Sequence, residues 1–258
     1  MTNIQKAFRH GKAFIPFVTA GDPDLETTRS LLLAMQEAGA DLIEIGIPFS
    51  DPVAEGVVIQ RANKRALDAG CSIDRIFDMI CSIRNEMRVP LVFLTYINPI
   101  IVYGAVPFMK RCQEAGIAGL IVPDLPFEEK GEILETCHAY GVSLISLIAP
   151  TSHERIQMIA KEAEGFLYIV SSLGVTGVRS SITSDIPAMV AAAKQVSSIP
   201  CAVGFGIATP EQAQAMARQS DGAIVGSAIV KLVEQYGKES AAPVAQYVAD
   251  MKNAVRQI

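Results

Sequence analysis

The chain has 258 residues, half of them hydrophobic, so it can bury a large core in a single domain. Its formal net charge of -5 leaves no surplus of Lys and Arg, which excludes a broad nucleic-acid footprint. The five cysteines form no CxxC pair and are odd in number, which fits reduced thiols, and no apolar run reaches the roughly 18 residues of a membrane span. Met1 to His10 lacks the apolar centre of a signal peptide, so a cytoplasmic location is expected.

Short β-rich apolar runs alternate with longer amphipathic segments from end to end. Strands are predicted from Ala13 to Thr19, Asp41 to Ile47, Leu91 to Tyr96, Gly119 to Asp124, Val142 to Ala149, Phe166 to Ser171, Pro200 to Gly206 and Gly222 to Gly226, each followed by helix-like sequence. Strands apolar on both faces and joined by helical crossovers suit a parallel sheet covered by helices. Eight such units imply closure into one α/β domain over 1–258, a (β/α)8 TIM barrel. An open doubly wound sheet is the rival, but Thr19-Ala20-Gly21-Asp22-Pro23 lacks the Gly-rich fingerprint that fold usually carries after its first strand.

Two connections stand out as long: Pro48 to Val58 after the second strand and Ser172 to Ser184 after the sixth. Both leave carboxyl ends of strands, the face on which barrel enzymes keep their active sites, and both are candidate lids. In Leu42-Ile43-Glu44-Ile45-Gly46-Ile47, period-2 alternation turns the isoleucines toward the helices and Glu44 into the barrel. A carboxylate there loses hydration and its pKa rises toward values useful for proton transfer; the plainer alternative is a core carboxylate satisfied by hydrogen bonds. Asp51 and Glu55 follow on a loop punctuated by Pro and Gly. Either could supply a second carboxylate over the barrel mouth, although Gly56 suggests a side chain held loosely until something packs over it.

Gly204-Phe205-Gly206 ends the seventh strand, Thr209-Pro210-Glu211-Gln212 has the form of a capped helix start, and Val225-Gly226-Ser227-Ala228 follows the eighth strand. Glycines at a helix start let a phosphate approach free N–H groups, and the loops after strands seven and eight are the recurrent phosphate site of the fold. Gly174-Val175-Thr176-Gly177 could add N–H and hydroxyl donors from above. A phosphorylated small molecule is the implied substrate class; for any single glycine, a plain tight turn is the alternative.

These motifs, with Phe17-Val18-Thr19-Ala20-Gly21-Asp22-Pro23, Pro48-Phe49-Ser50-Asp51-Pro52, Tyr168 and Gly226-Ser227-Ala228-Ile229-Val230, closely resemble the tryptophan synthase alpha subunit family over nearly the whole chain. The resemblance implies retro-aldol cleavage of indole-3-glycerol phosphate to indole and glyceraldehyde 3-phosphate, with indole passed to a beta subunit in an α2β2 complex. It gives Glu44 and Glu55 the catalytic roles, Glu55 replacing the more familiar Asp. Phe17, Ile59 and Tyr96 would line an indole pocket, with Tyr168 beside Glu44 or the substrate. Thr176, Gly177, Phe205, Gly206, Gly226 and Ser227 would hold phosphate. Asp51, Pro52 and Val53 would carry coupling to the partner. Val57 stands where many relatives have Pro. Pyridoxal phosphate belongs, by the same resemblance, to the beta partner, and this chain is expected to carry no cofactor.

Rival chemistries fit less well. A Schiff-base aldolase or an indole-glycerol-phosphate synthase wants a Lys inside the barrel, and all ten lysines fall outside the predicted strands. A metal-dependent epimerase wants several converging ligands, whereas the histidines are His10, His138 and His153 alone, so no metal is expected. Another phosphate-binding barrel enzyme, or a regulatory subunit with weak turnover that activates its partner, remains as an alternative.

Overall fold

A computed structural model describes residues 3–170, 185–204 and 206–258. Its strand segments are β1 (Ala13–Thr19), β2 (Ile43–Gly46), β3 (Leu91–Leu94), β4 (Ile117–Ile121), β5 (Ser143–Ile145), β6 (Leu147–Ile148), β7 (Leu167–Val170), β8 (Cys201–Gly204) and β9 (Gly222–Val225). They form one 9-stranded sheet in the order β5-β4-β3-β2-β1-β9-β8-β7-β6, and the paired segments run parallel. Ser146 alone separates β5 from β6; β5 pairs with β4, β6 pairs with β7, and the Ser146 carbonyl accepts from Tyr168 N at 3.0 Å. The two segments are therefore halves of one stave, nine segments make eight staves, and β1 pairs directly with β9. The barrel is the (β/α)8 architecture read from the sequence.

Each predicted strand falls on an observed one, with differences at the ends. Gly116 takes a left-handed conformation (φ +75) that stops helix Ala105–Ala115, so β4 starts at Ile117 rather than Gly119. Several staves leave the ladder early: β2 ends at Gly46 and β3 at Leu94, which places Ile47 and Tyr96 in the mouth loops.

Alternation builds two apolar layers. Ile43, Ile45, Phe93, Leu144 and Ile148 point outward and pack with helix residues such as Leu31, Ile80, Ile133 and Ile159. Leu42, Val92, Ile145, Tyr168 and Ile224 point inward and fill the barrel. Helix Asn3–Lys6 closes the amino-terminal end: a Cβ on Gly119 or Gly165 would lie 2.8 or 3.1 Å from Ile4 Cδ1, and Phe8 packs on Phe166. The space left for a ligand lies toward the carboxyl ends of the strands. Among the described residues, no helix is long and apolar enough to cross a membrane.

Candidate active site

Glu44 sits on β2 between its register partners Phe17 of β1 and Val92 of β3, facing the barrel axis with 1% of its surface exposed. Burial, reinforced by the nearby charge of Glu55, pushes its carboxyl up from 4.5 to about 8. Among the described residues, its buried Oε2 has no hydrogen-bond partner. A buried oxygen left this way favours the neutral acid and is ready for an incoming proton donor or acceptor. Tyr168 projects from β7 toward the same interior, its ring filling the space a Cβ on Gly204 would need. Burial first, then the Glu44 charge, push its phenol far up.

Glu55 is better held than its loop suggested. Helix Val57–Asp68 begins just after Gly56 and turns back beneath the loop, so that Asn63 Nδ2 donates to Glu55 Oε2 at 2.7 Å and Gln60 Nε2 donates to the Glu55 carbonyl at 2.7 Å. Tyr96 also bonds the carboxylate, and its hydroxyl accepts from Ala54 N at 3.2 Å while Phe49 packs on its ring. Glu55 is consequently only 6% exposed. Burial raises its pKa to about 7, held back by the Asn63 and Tyr96 hydrogen bonds. The expectation of a carboxylate left loose by Gly56 is corrected: the tie comes from within the chain.

Both carboxylates line one cavity of about 530 Å³, which extends from the barrel interior past Ser146 to Leu144, Ile159 and Lys130 on the outer side of the sheet. Phe17, Ile59, Leu94 and Tyr96 supply apolar wall, and Gly206, Ile207, Gly226 and Ser227 line the same cavity, Gly226 lying against the Phe17 ring. The two glycine clusters differ in their chemistry. Helix Pro210–Gln219 carries a complete capping box, with Thr209 and Gln212 taking up its end, whereas helix Ser227–Tyr236 starts at Gly226 with no side-chain cap. The uncapped first turn leaves its N–H groups and the positive end of the helix without a side-chain partner, the arrangement that suits an anion. Gly206, with φ 80, holds a backbone turn that residues with a side chain rarely adopt.

Thr176, Gly177 and Phe205 lie outside the described residues, as does the connection from Ser172 to Ser184. Asp51 and Val53 are exposed at the rim, Val53 by 71%, and Pro52 between them is half-buried. Among the described residues, no group of three or more His, Cys, Asp and Glu is placed to hold a metal. Sequence reasoning missed Asn63 and Gln60; a polar face on the helix after an acidic loop was the available signal.

A closed barrel whose mouth gathers two buried carboxylates with raised pKa values and an uncapped helix start has the layout of a (β/α)8 enzyme. The family model for the tryptophan synthase alpha chain matches residues 4–257. The tryptophan synthase alpha chain of Lacticaseibacillus casei is 47% identical over 255 residues, covering 99% of this chain and 96% of its own. The alpha chain of Legionella pneumophila superposes with a TM-score of 0.89 at 35% identity, over 100% of this chain and 98% of that one. A chain of the tryptophan synthase α2β2 complex of Pyrococcus furiosus gives 0.83 at 33%, over 94% and 99%. The chain belongs to the tryptophan synthase alpha chain family, a family of lyases.

Proposed function

We propose that this chain, as one barrel domain over 1–258, is a carbon–carbon lyase that splits indole-3-glycerol phosphate into indole and glyceraldehyde 3-phosphate. The observation that carries the reading is the placement of Glu44 and Glu55, both buried and both raised toward neutral pH, in one cavity with the uncapped helix start at Ser227. That cavity offers an apolar wall for a ring, carboxylates for protons, and N–H groups for phosphate.

In this reading the neutral Glu44 gives its proton to C3 of the indole ring, which becomes cationic at nitrogen. The resulting Glu44 carboxylate takes the proton of the glycerol hydroxyl, the bond from C3 to the side chain breaks, and its electron pair returns to the ring. Glu44 ends protonated as it began, and the products are indole and an aldehyde. Glu55, as the carboxylate, accepts from the indole N–H and is strongest when the ring is positive, which favours the intermediate over the substrate. Phe17, Ile59 and Tyr96 would flank the ring and Tyr168 would fix Glu44. Gly206, Gly226 and Ser227, with Thr176, Gly177 and Phe205, would bind the phosphate. Asn63 and Gln60, on the helix that follows, would hold Glu55 in the place that the family more often gives to Asp.

The same reading gives the chain a beta-subunit partner, in which pyridoxal phosphate is expected, and an α2β2 assembly in the cytoplasm. Support comes from the Pyrococcus relative and from exposed apolar side chains: Val53 and Val57 flank Glu55 on its loop, and Ile101, Val102 and Val106 lie on the helices that follow β3. Asp51, Pro52 and Val53 would carry the coupling. The test is release of indole and glyceraldehyde 3-phosphate from indole-3-glycerol phosphate, with and without a beta subunit. Equal amounts of both products are expected. Activation of the partner without any cleavage would instead leave a regulatory subunit.

A further inference from the structure

Two helices bring to the cavity the groups that the lyase reading assigns to the two ends of the substrate. Helix Val57–Asp68 holds Ile59 on the ring side and Asn63 against Glu55; helix Ser227–Tyr236 begins at the phosphate end. They pack on one another through Ile59, Ala62 and Val230 against Phe17. Phe17 is itself wedged between the ends: a Cβ on Gly46 would lie 2.6 Å from its ring and one on Gly226 3.2 Å away. This packing lets the helices approach, but apolar contacts alone do not fix how far one slides along the other.

Arg65 supplies that constraint. Its Nε and Nη2 donate to both oxygens of Asp22 at 2.8 and 2.9 Å, and its Nη1 donates to Glu234 Oε1 at 2.9 Å. Asp22 lies just beyond β1 and is 2% exposed, and this two-pronged contact engages both of its buried oxygens. Glu234 lies about two turns along the helix from Ser227 and also meets Arg61 at 3.5 Å. One planar guanidinium thus ties the loop after β1, the helix that holds Glu55 and the helix that begins at Ser227.

We propose that Arg65 is a positioning residue that fixes the span between the carboxylate end and the phosphate end of the substrate site. The assignment rests on the lyase reading above, because only a ligand that reaches both ends senses the span. It touches no substrate; it sets where Glu55 and Ser227 stand relative to each other. Misplacement by a fraction of an ångström is felt steeply in catalysis, and weakly by a fragment that occupies one end.

The test compares Arg65→Gln and Glu234→Gln with the parent chain. Glu234→Gln leaves Asp22 paired, so it keeps the clamp measurable should Arg65→Gln fail to fold. Three quantities are read: kcat and KM for indole-3-glycerol phosphate, the affinity for indole alone, and the affinity for glycerol 3-phosphate alone. Arg65→Gln is expected to lower kcat/KM by roughly tenfold or more, mainly through kcat, with both fragment affinities within about twofold of the parent. Glu234→Gln is expected to give the same pattern at smaller size. Parent-like turnover in both variants would overturn the clamp while leaving the lyase reading intact. Fragments that lose as much affinity as the whole substrate would overturn it as well, showing general loosening. If the parent chain releases no indole, the lyase reading fails and the clamp falls with it.

Discussion

Asn63 donates its side-chain amide to Oε2 of Glu55 at 2.7 Å from within a helix that starts two residues after that acid. The hydrogen bond favours the ionised carboxylate, against a burial that disfavours it, and the balance stands at about 7. Asn63→Ala removes the favourable side, so the Glu55 pKa rises. Glu55 must be ionised to stabilise a cationic ring, so the acidic limb of the kcat/KM profile for cleavage should move to higher pH. The loss is expected to be larger near pH 6.5 than near pH 9. An unshifted profile with a uniform loss would assign Asn63 to packing alone.

Glu44→Gln should fold and lose turnover by about two orders of magnitude or more, the scale of a missing general acid and base. Its stability should shift in the opposite sense. Below the ordinary value of 4.5, folded and unfolded chains both hold the Glu44 proton. Between 4.5 and about 8 the unfolded chain ionises and the folded one does not, so the carboxyl progressively destabilises the fold as pH rises, and the penalty is complete above about 8. The amide removes a penalty on the order of a few kcal/mol. The melting temperature of the variant relative to the parent should therefore climb between pH 5 and pH 8. A difference that stays flat over that range would contradict a buried, proton-holding Glu44.

What the sequence displayed of this site was whatever local periodicity decides. Glu44 was legible because alternation with Ile43, Ile45 and Ile47 leaves it no face but the interior. Asn63 was not, because its bond to Glu55 depends on how a loop meets a helix and has no fixed spacing. Arg65 finds Asp22 across 43 residues of chain, a contact that follows from the barrel placing its first loop beside a helix three elements away in the ring of connections. The break at Ser146 and the plug formed by Ile4 and Phe8 were equally hidden, since both depend on closure of the sheet. The two glycine clusters look alike in sequence but differ in capping: Gln212 is committed to its own helix, whereas the start at Ser227 has no side-chain cap.

Ser227→Ala should mainly raise the KM for indole-3-glycerol phosphate. A phosphate contact persists from bound substrate through the transition state, so losing it weakens both states alike and leaves kcat nearly unchanged. An effect of roughly tenfold matches one lost hydrogen bond to a charged group. Steady-state kinetics separate the two parameters, and a fall in kcat at constant KM would place Ser227 in the chemical step.

Docking of a beta subunit should accelerate cleavage, and the structure narrows where it can act. Glu55 is already buried and bonded to Asn63 in the chain alone, so the partner need not create that contact. Asp51 to Val53 lie a few residues before it on the exposed rim, with Val53 open to solvent by 71%. A partner that covers Val53 favours the arrangement in which the loop is closed, and it can do so only by binding that arrangement better than the open one. Glu55 would then spend more of its time where it meets the indole N–H, which raises the rate of the chemical step without a new catalytic group. Single-turnover cleavage should therefore quicken on adding beta subunit, with amide hydrogen exchange slowing over 50–54. Val53→Asp should weaken both effects by placing a charge in the apolar contact, while leaving turnover of the isolated chain close to that of the parent, because this side chain faces solvent there. If the partner binds with parent affinity to the variant and still quickens cleavage to the parent rate, the coupling does not run through this segment of the rim.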